Sequence, residues 1–242
     1  MSKNTLKEQE DILFEKLQNT YSPEEQELLV QDGLCTTAIT NKQAGIDAEA
    51  LWTQSKKRVM FLLKEPNGNP GEDYRDWDWS ANTELFGNVL AYWLEGLNIV
   101  DKDNLPIYDN LSWRKDIMEQ YPLVIVNLKK LSGDSIADWN EIREYANRDR
   151  EFLKEQVRNI LNPNIVVCGG SSGSNSVLSL AREFIYNDIN FEKINNWCYY
   201  NKDNDILLID SYHPSMPGSY KKKVDDMLFA VQQFIIKNNE QH

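Results

Sequence analysis

Histidine and cysteine are scarce in this 242-residue chain, and positive charge is outnumbered. The three cysteines, Cys35, Cys168 and Cys198, stand far apart and form no CxxC pair. An odd, dispersed set gives no disulfide framework and too few thiolates for a four-ligand zinc site or iron–sulfur cluster. They read as idle thiols of a reducing compartment. No apolar run reaches the ~18 residues that read as a membrane-spanning helix. The opening residues, Met1 to Asp11, lack the apolar stretch of a secretory signal. These absences predict a cytoplasmic protein with no membrane partner.

Lysine and arginine number 26 against 38 aspartates and glutamates, a net charge of -12. That balance opposes broad, non-specific attraction to phosphate backbones. It leaves three local basic clusters, at Lys56–Arg58, Lys129–Lys130 and Lys221–Lys223. Each alone reads as a solvated surface patch, and any larger meaning depends on where the strands fall.

Leu6 to Leu17 carries apolar residues at helical spacing. Ser22, Pro23, Glu24 and Glu25 form a helix start, with Ser22 as cap and the acids facing the dipole. Gly33 is a plausible stop, and a polar, weakly patterned stretch follows to about Ala50. Residues 1–50 thus read as an amino-terminal helical extension packed on a domain spanning 51–242, and they offer a place for a protein partner. Beyond them come four short apolar runs, Arg58–Leu63, Leu123–Asn127, Asn164–Cys168 and Asp205–Asp210. Helical patterns separate or follow them at Glu84–Leu97, Arg148–Leu161, Ser174–Tyr186 and Lys222–Ile236. Strands alternating with helices of this length predict an α/β fold of three layers (αβα), around a central, mostly parallel, four-stranded twisted sheet.

In such sheets the ligand crevice lies outside the carboxyl ends of the strands. Those ends carry a carboxylate and turn (Glu65, Pro66, Asn67, Gly68) and an amide followed by two lysines (Asn127, Lys129, Lys130). They also carry a glycine-rich turn (Gly169, Gly170, Gly173) and an imidazole loop (His213, Pro214, Ser215). The glycine-rich turn could cradle an anion at a helix start, but it lacks both the Walker lysine and GxGxxG spacing. It also fails the Gly-x-Ser-x-Gly step of a nucleophile elbow. A tight β-to-α turn explains it as well. His213 is the only histidine besides His242 and reads either as a structural hydrogen-bonder or as a working loop residue. Glu65 reads as a solvated turn residue or as a general base. Asn127 ends an apolar strand, where an unsatisfied amide would lose about 1–3 kcal/mol, so it caps backbone or reads a ligand.

Taken together and in order, these segments resemble the uracil-DNA glycosylase superfamily over roughly residues 55–238. Leu63–Asn67 is similar to the proline-bearing loop after the family's first strand. Val124–Leu128 resembles the strand ending in the asparagine that reads the base edge. Val166–Gly169 resembles the apolar strand closing on glycine, and Ile209–Ser215 the His-Pro-Ser loop. There are departures. Glu65 stands where the best-known branch has a water-activating aspartate, and Asn67 where it has a tyrosine that excludes thymine.

The resemblance implies a base flipped out of DNA into a pocket, with no metal or organic cofactor required. Asn127 would read its edge, one of Tyr74, Trp77 or Trp79 would stack on it, and Asn67, Gly169, Gly170 and Ser215 would line the site. His213 would donate to the carbonyl oxygen as charge grows there, and Glu65 would orient water. Lys129, Lys130, Tyr220, Lys221, Lys222 and Lys223 would form a DNA-facing rim on an acidic body. Two other readings stay open. One is a non-catalytic nucleobase or nucleic-acid binder on the same fold, and the other an α/β hydrolase of a small anionic metabolite.

Overall fold

The computed structural model describes residues 4–36, 47–79, 85–133, 136–172 and 175–239. Each of the four apolar runs is buried along nearly its whole length, as strands covered on both faces must be. In chain order the sheet strands are β1 Gly33–Cys35, β2 Val59–Leu63, β3 Leu123–Asn127, β4 Ile165–Gly169, β5 Glu192–Lys193, β6 Cys198–Asn201 and β7 Ile206–Ser211. They lie across the sheet as β1-β3-β2-β4-β7-β6-β5. The four central strands are parallel, with Leu63 opposite Asn127 and Gly169 opposite Ser211. β1 joins β3 antiparallel, and β6 and β5 extend the other edge antiparallel.

The expected four-stranded sheet is therefore a seven-stranded mixed one. The four expected strands form its centre. β1 and β5 run three and two residues, too short to show a period of two, and β6 is half-polar.

The helices are α1 Leu6–Gln18, α2 Pro23–Leu28, α3 Ala48–Gln54, α4 Leu85–Ile99, α5 Arg114–Gln120 and α6 Trp139–Arg148. Then come α7 Arg150–Lys154, α8 Val177–Leu180 and α9 Tyr220–Asn239. α7 and α8 each continue as π-helix, to Leu161 and Ile185. α1 and α2 open on capping boxes at Thr5 and Ser22, in which side chain and backbone satisfy each other's orphan groups. Strand alternation sends Met60, Leu62, Val124 and Val166 into one core with α1, α7 and α8. Phe61, Leu63, Ile125 and Val167 enter a second core with α4 and α9. Among the described residues no helix is long and apolar enough to cross a membrane.

The segment before residue 51 is woven into this body. Phe14 and Leu17 sit in the first core. Gly33, expected to end a helix, instead opens β1 with φ at +146°. A Cβ there would stand 2.0 Å from the Glu10 carboxylate, so only glycine lets that acid reach under the sheet edge. Glu10, Asp32, Lys130 and Gln156 are all 0% exposed and form one buried polar network. Gln156 donates to Glu10 and to the Asp32 carbonyl, and Lys130 donates to Asp32 at 2.6 Å. All three cysteines are free and buried. Burial raises each thiol above its ordinary value, Cys198 to about 12.

Candidate functional site

β2 and β3 end side by side, and pairing continues past them, because Leu128 and Lys129 donate to the Leu63 and Lys64 carbonyls. The chains leaving these strands open a cavity of about 700 Å³, within the range of small-ligand sites. Glu65, Asn67, Tyr74, Trp77, Trp79, Asn127, His213 and Ser215 line it together, joined by Phe86. Four separate stretches of chain thus supply one hollow at the predicted end of the sheet.

Glu65 is held on two sides. Its Oε2 accepts from Lys129 Nζ at 2.9 Å, and Lys129 also pairs with Glu141 at 2.9 Å. Burial opposes the lysine charge, but the two carboxylates outweigh it and raise its pKa above the ordinary value. Behind Glu65 lies Gly133, where a Cβ would fall 2.3 Å from the carboxyl carbon. The Gly133 N–H donates to the Pro66 carbonyl and its own carbonyl accepts from Gly68. The glycine is thus fixed as the floor of the seat. Glu65 Oε1 has no partner among the described residues.

Asn127 is 2% exposed and its amide is oriented. Asp32 Oδ2 accepts from both the Asn127 backbone N–H at 2.7 Å and its Nδ2 at 3.1 Å. The amide oxygen has no partner among the described residues.

His213 is oriented by its own loop. The Ser215 N–H donates to His213 Nδ1 at 3.2 Å, so in the neutral ring the proton sits on Nε2. Burial, with the Lys64 and Lys223 charges behind it, lowers the imidazole pKa to about 4. The ring is therefore a neutral Nε2–H donor at physiological pH.

An aromatic wall runs from Tyr74 to His213. Ring centroids lie 4.4 Å apart for Tyr74–Trp77, 5.5 Å for Trp77–Trp79, 5.9 Å for Trp79–Phe86 and 6.0 Å for Phe86–His213. Trp79 is pinned by its Nε1 donating to the Tyr74 carbonyl, whereas Trp77 is only half-buried.

Other expected residues do not line the hollow. Gly169 and Gly170 are buried, and the Gly170 N–H donates to the Ser211 carbonyl, so it is not free to cradle an anion. Gly173 of that turn lies outside the described residues. Lys129 and Lys130, expected on a solvated rim, are 3% and 0% exposed. The acids Glu65, Glu141 and Asp32 draw them inward. Lys223 is buried and donates to the Met216 carbonyl. Lys221 and Lys222 are exposed but paired with Asp109 and Asp226. Tyr220 begins α9 half-buried, packed on the second core. The continuous basic rim is thus replaced by two ion-paired lysines.

Asp32, Phe86, Gly133 and Glu141 escape the sequence reading. Phe86 sits in an apolar helical run indistinguishable from core, the partners of Asp32 lie 95 and 98 positions away, and Glu141 reaches Lys129 from the start of a separate helix. Among the described residues no group of three histidine, cysteine, aspartate or glutamate side chains is placed to hold a metal ion. The chain matches no known family model and no curated protein.

Proposed function

We propose that this chain is a divergent uracil-DNA glycosylase-like protein that hydrolyses the N-glycosidic bond of a uracil-type base flipped into the cavity. One observation carries the reading. An oriented amide, a neutral imidazole donor, a seated carboxylate and an aromatic wall share one hollow of about 700 Å³, roomy enough to admit a flipped base with its sugar. The three-layer architecture of the resemblance fits the helices packed on both sheet faces.

In this mechanism Asn127 hydrogen-bonds the base edge while Trp77 or a neighbouring ring stacks on its face. His213 donates from Nε2 to the carbonyl oxygen that gains negative charge as the bond breaks. Its lowered pKa matters here, because a neutral donor stabilises the leaving anion without first surrendering a proton. As the C1′–N bond breaks and its electron pair leaves with the base, Glu65 Oε1 orients the attacking water and stabilises positive charge on the sugar. The new C1′–O bond forms as the water's proton passes to Glu65 and then to the departed base anion. Lys221 and Lys222, exposed and paired with Asp109 and Asp226, would be the cations for phosphate contact once those acids release them.

The pairing of Glu65 with Lys129 favours a second reading on the same pocket, a binder that holds the base without cleaving it. Single-stranded and mismatched DNA containing uracil, followed by alkali, separates the two. The expected result is strand scission at abasic sites, abolished by His213→Ala and by Glu65→Ala. Scission unchanged in both variants would remove these residues from the mechanism. Base-dependent binding without scission would establish the binder.

A further inference from the structure

We infer that Asp32, contributed by the segment before β1, is the positioning residue that sets which base edge Asn127 accepts. The inference rests on the base-pocket reading above. An asparagine carboxamide can face a ligand in two orientations that exchange its donor and acceptor, and the backbone around it is blind to the difference. Here one neighbour decides. Asp32 Oδ2 lies 3.1 Å from Nδ2 and takes one of its hydrogens. Turning the amide over would set Oδ1 against that carboxylate oxygen, two acceptors facing each other in a site where Asn127 is 2% and Asp32 0% exposed.

The carboxylate itself has little freedom to yield. Oδ2 also accepts the Asn127 backbone N–H at 2.7 Å, and Oδ1 is held by Lys130 at 2.6 Å. Gln156, which donates to the Asp32 carbonyl and accepts from Lys130, closes the ring. Asp32 thereby leaves Asn127 presenting its oxygen as acceptor, with the remaining amide hydrogen beside it as donor. The matching ligand edge carries an N–H next to a carbonyl oxygen, as uracil does. Cytosine, which offers a ring-nitrogen acceptor next to an amino donor, meets the pair reversed.

The test is Asp32→Leu in the full chain, of similar size but with no acceptor, with Asp32→Leu/Lys130→Met as companion to remove the lysine left unpaired. Free uracil and free cytosine are titrated while the Asn127 side-chain amide signals are followed by NMR. Wild-type protein is expected to show one Asn127 amide proton shifted by the carboxylate, and to prefer uracil. In the folded variants that shift is lost and the uracil-over-cytosine ratio falls about tenfold or more, the scale of one bidentate base contact. An unchanged ratio in a folded variant overturns the role of Asp32 alone. A wild type that binds neither base, with its Asn127 signal intact, overturns the base-pocket reading and this specificity with it.

Discussion

The Ser215 backbone N–H points at Nδ1 of His213 from 3.2 Å, and this one contact decides which ring nitrogen can serve a ligand. With Nδ1 accepting, Nε2 keeps the proton. Because the ring's pKa is lowered to about 4 from 6.5, the folded protein resists protonation that the unfolded chain accepts. Protons are therefore taken up on unfolding between those values, and this group's contribution to stability declines as pH falls from 6.5 towards 4. The chain has only two histidines, so an NMR titration is simple to read. His213 should stay neutral until well below the ordinary value of 6.5. A His213 midpoint near the ordinary value would contradict the neutral donor. His213→Phe, which keeps a ring but no donor, should cut glycosidic cleavage by at least about a hundred- to a thousandfold, as loss of one charge-stabilising donor does.

Gly133 offers a test of the carboxylate seat. A Cβ at this position collides with both the carboxyl carbon and Oε2 of Glu65, and the lysine on the other side blocks an easy retreat. Gly133→Ala should displace Glu65 by an ångström or so and lower cleavage about a hundredfold, as such misplacements do. Substrate affinity should change little. Parallel kinetics and binding on the variant check this, and a drop in affinity equal to the drop in rate would place Gly133 in recognition instead.

The aromatic wall separates packing from contact. Trp79 is 3% exposed and bonded to backbone, so Trp79→Ala should destabilise the fold by about 3–5 kcal/mol. Trp77 is half-buried and lines the cavity. Trp77→Ala should lower the urea midpoint far less than Trp79→Ala does yet weaken base binding by about 1–3 kcal/mol, the scale of one stacking contact. Equal unfolding midpoints for the two variants would contradict this division.

These residues also show what a sequence exposes and what it hides. The central strands were legible because Val, Ile and Leu run unbroken in short blocks, and the end of the sheet that carries the cavity followed from their direction. Asn127 and His213 stood out because each interrupts or follows such a block. Asp32 did not, since its meaning arises only when β1 pairs with β3 and brings it 2.7 Å from the Asn127 backbone. Lys129 and Lys130 look like a surface patch in one dimension. In three, they follow a central strand into the interior, where acids 64 and 98 positions away in sequence neutralise them.

That reassignment of the lysines makes the last prediction. If Lys129 lay on a DNA-facing rim, Lys129→Met would lower the slope of log affinity against log salt by about 1, as each lost phosphate contact does. Its Nζ instead lies between Glu65 and Glu141, with Lys129 and Glu65 side chains 4% and 6% exposed. Removing it leaves a buried carboxylate unpaired, so Lys129→Met should destabilise the protein by about 3–5 kcal/mol and leave the salt slope unchanged. Lys221→Ala and Lys222→Ala, at exposed sites paired with Asp109 and Asp226, should behave in the opposite way. Their stability should barely shift, and any salt-dependent DNA affinity should fall. Urea unfolding and salt-titrated binding on the three variants give six numbers. The pattern is coherent only if burial, rather than charge, divides them.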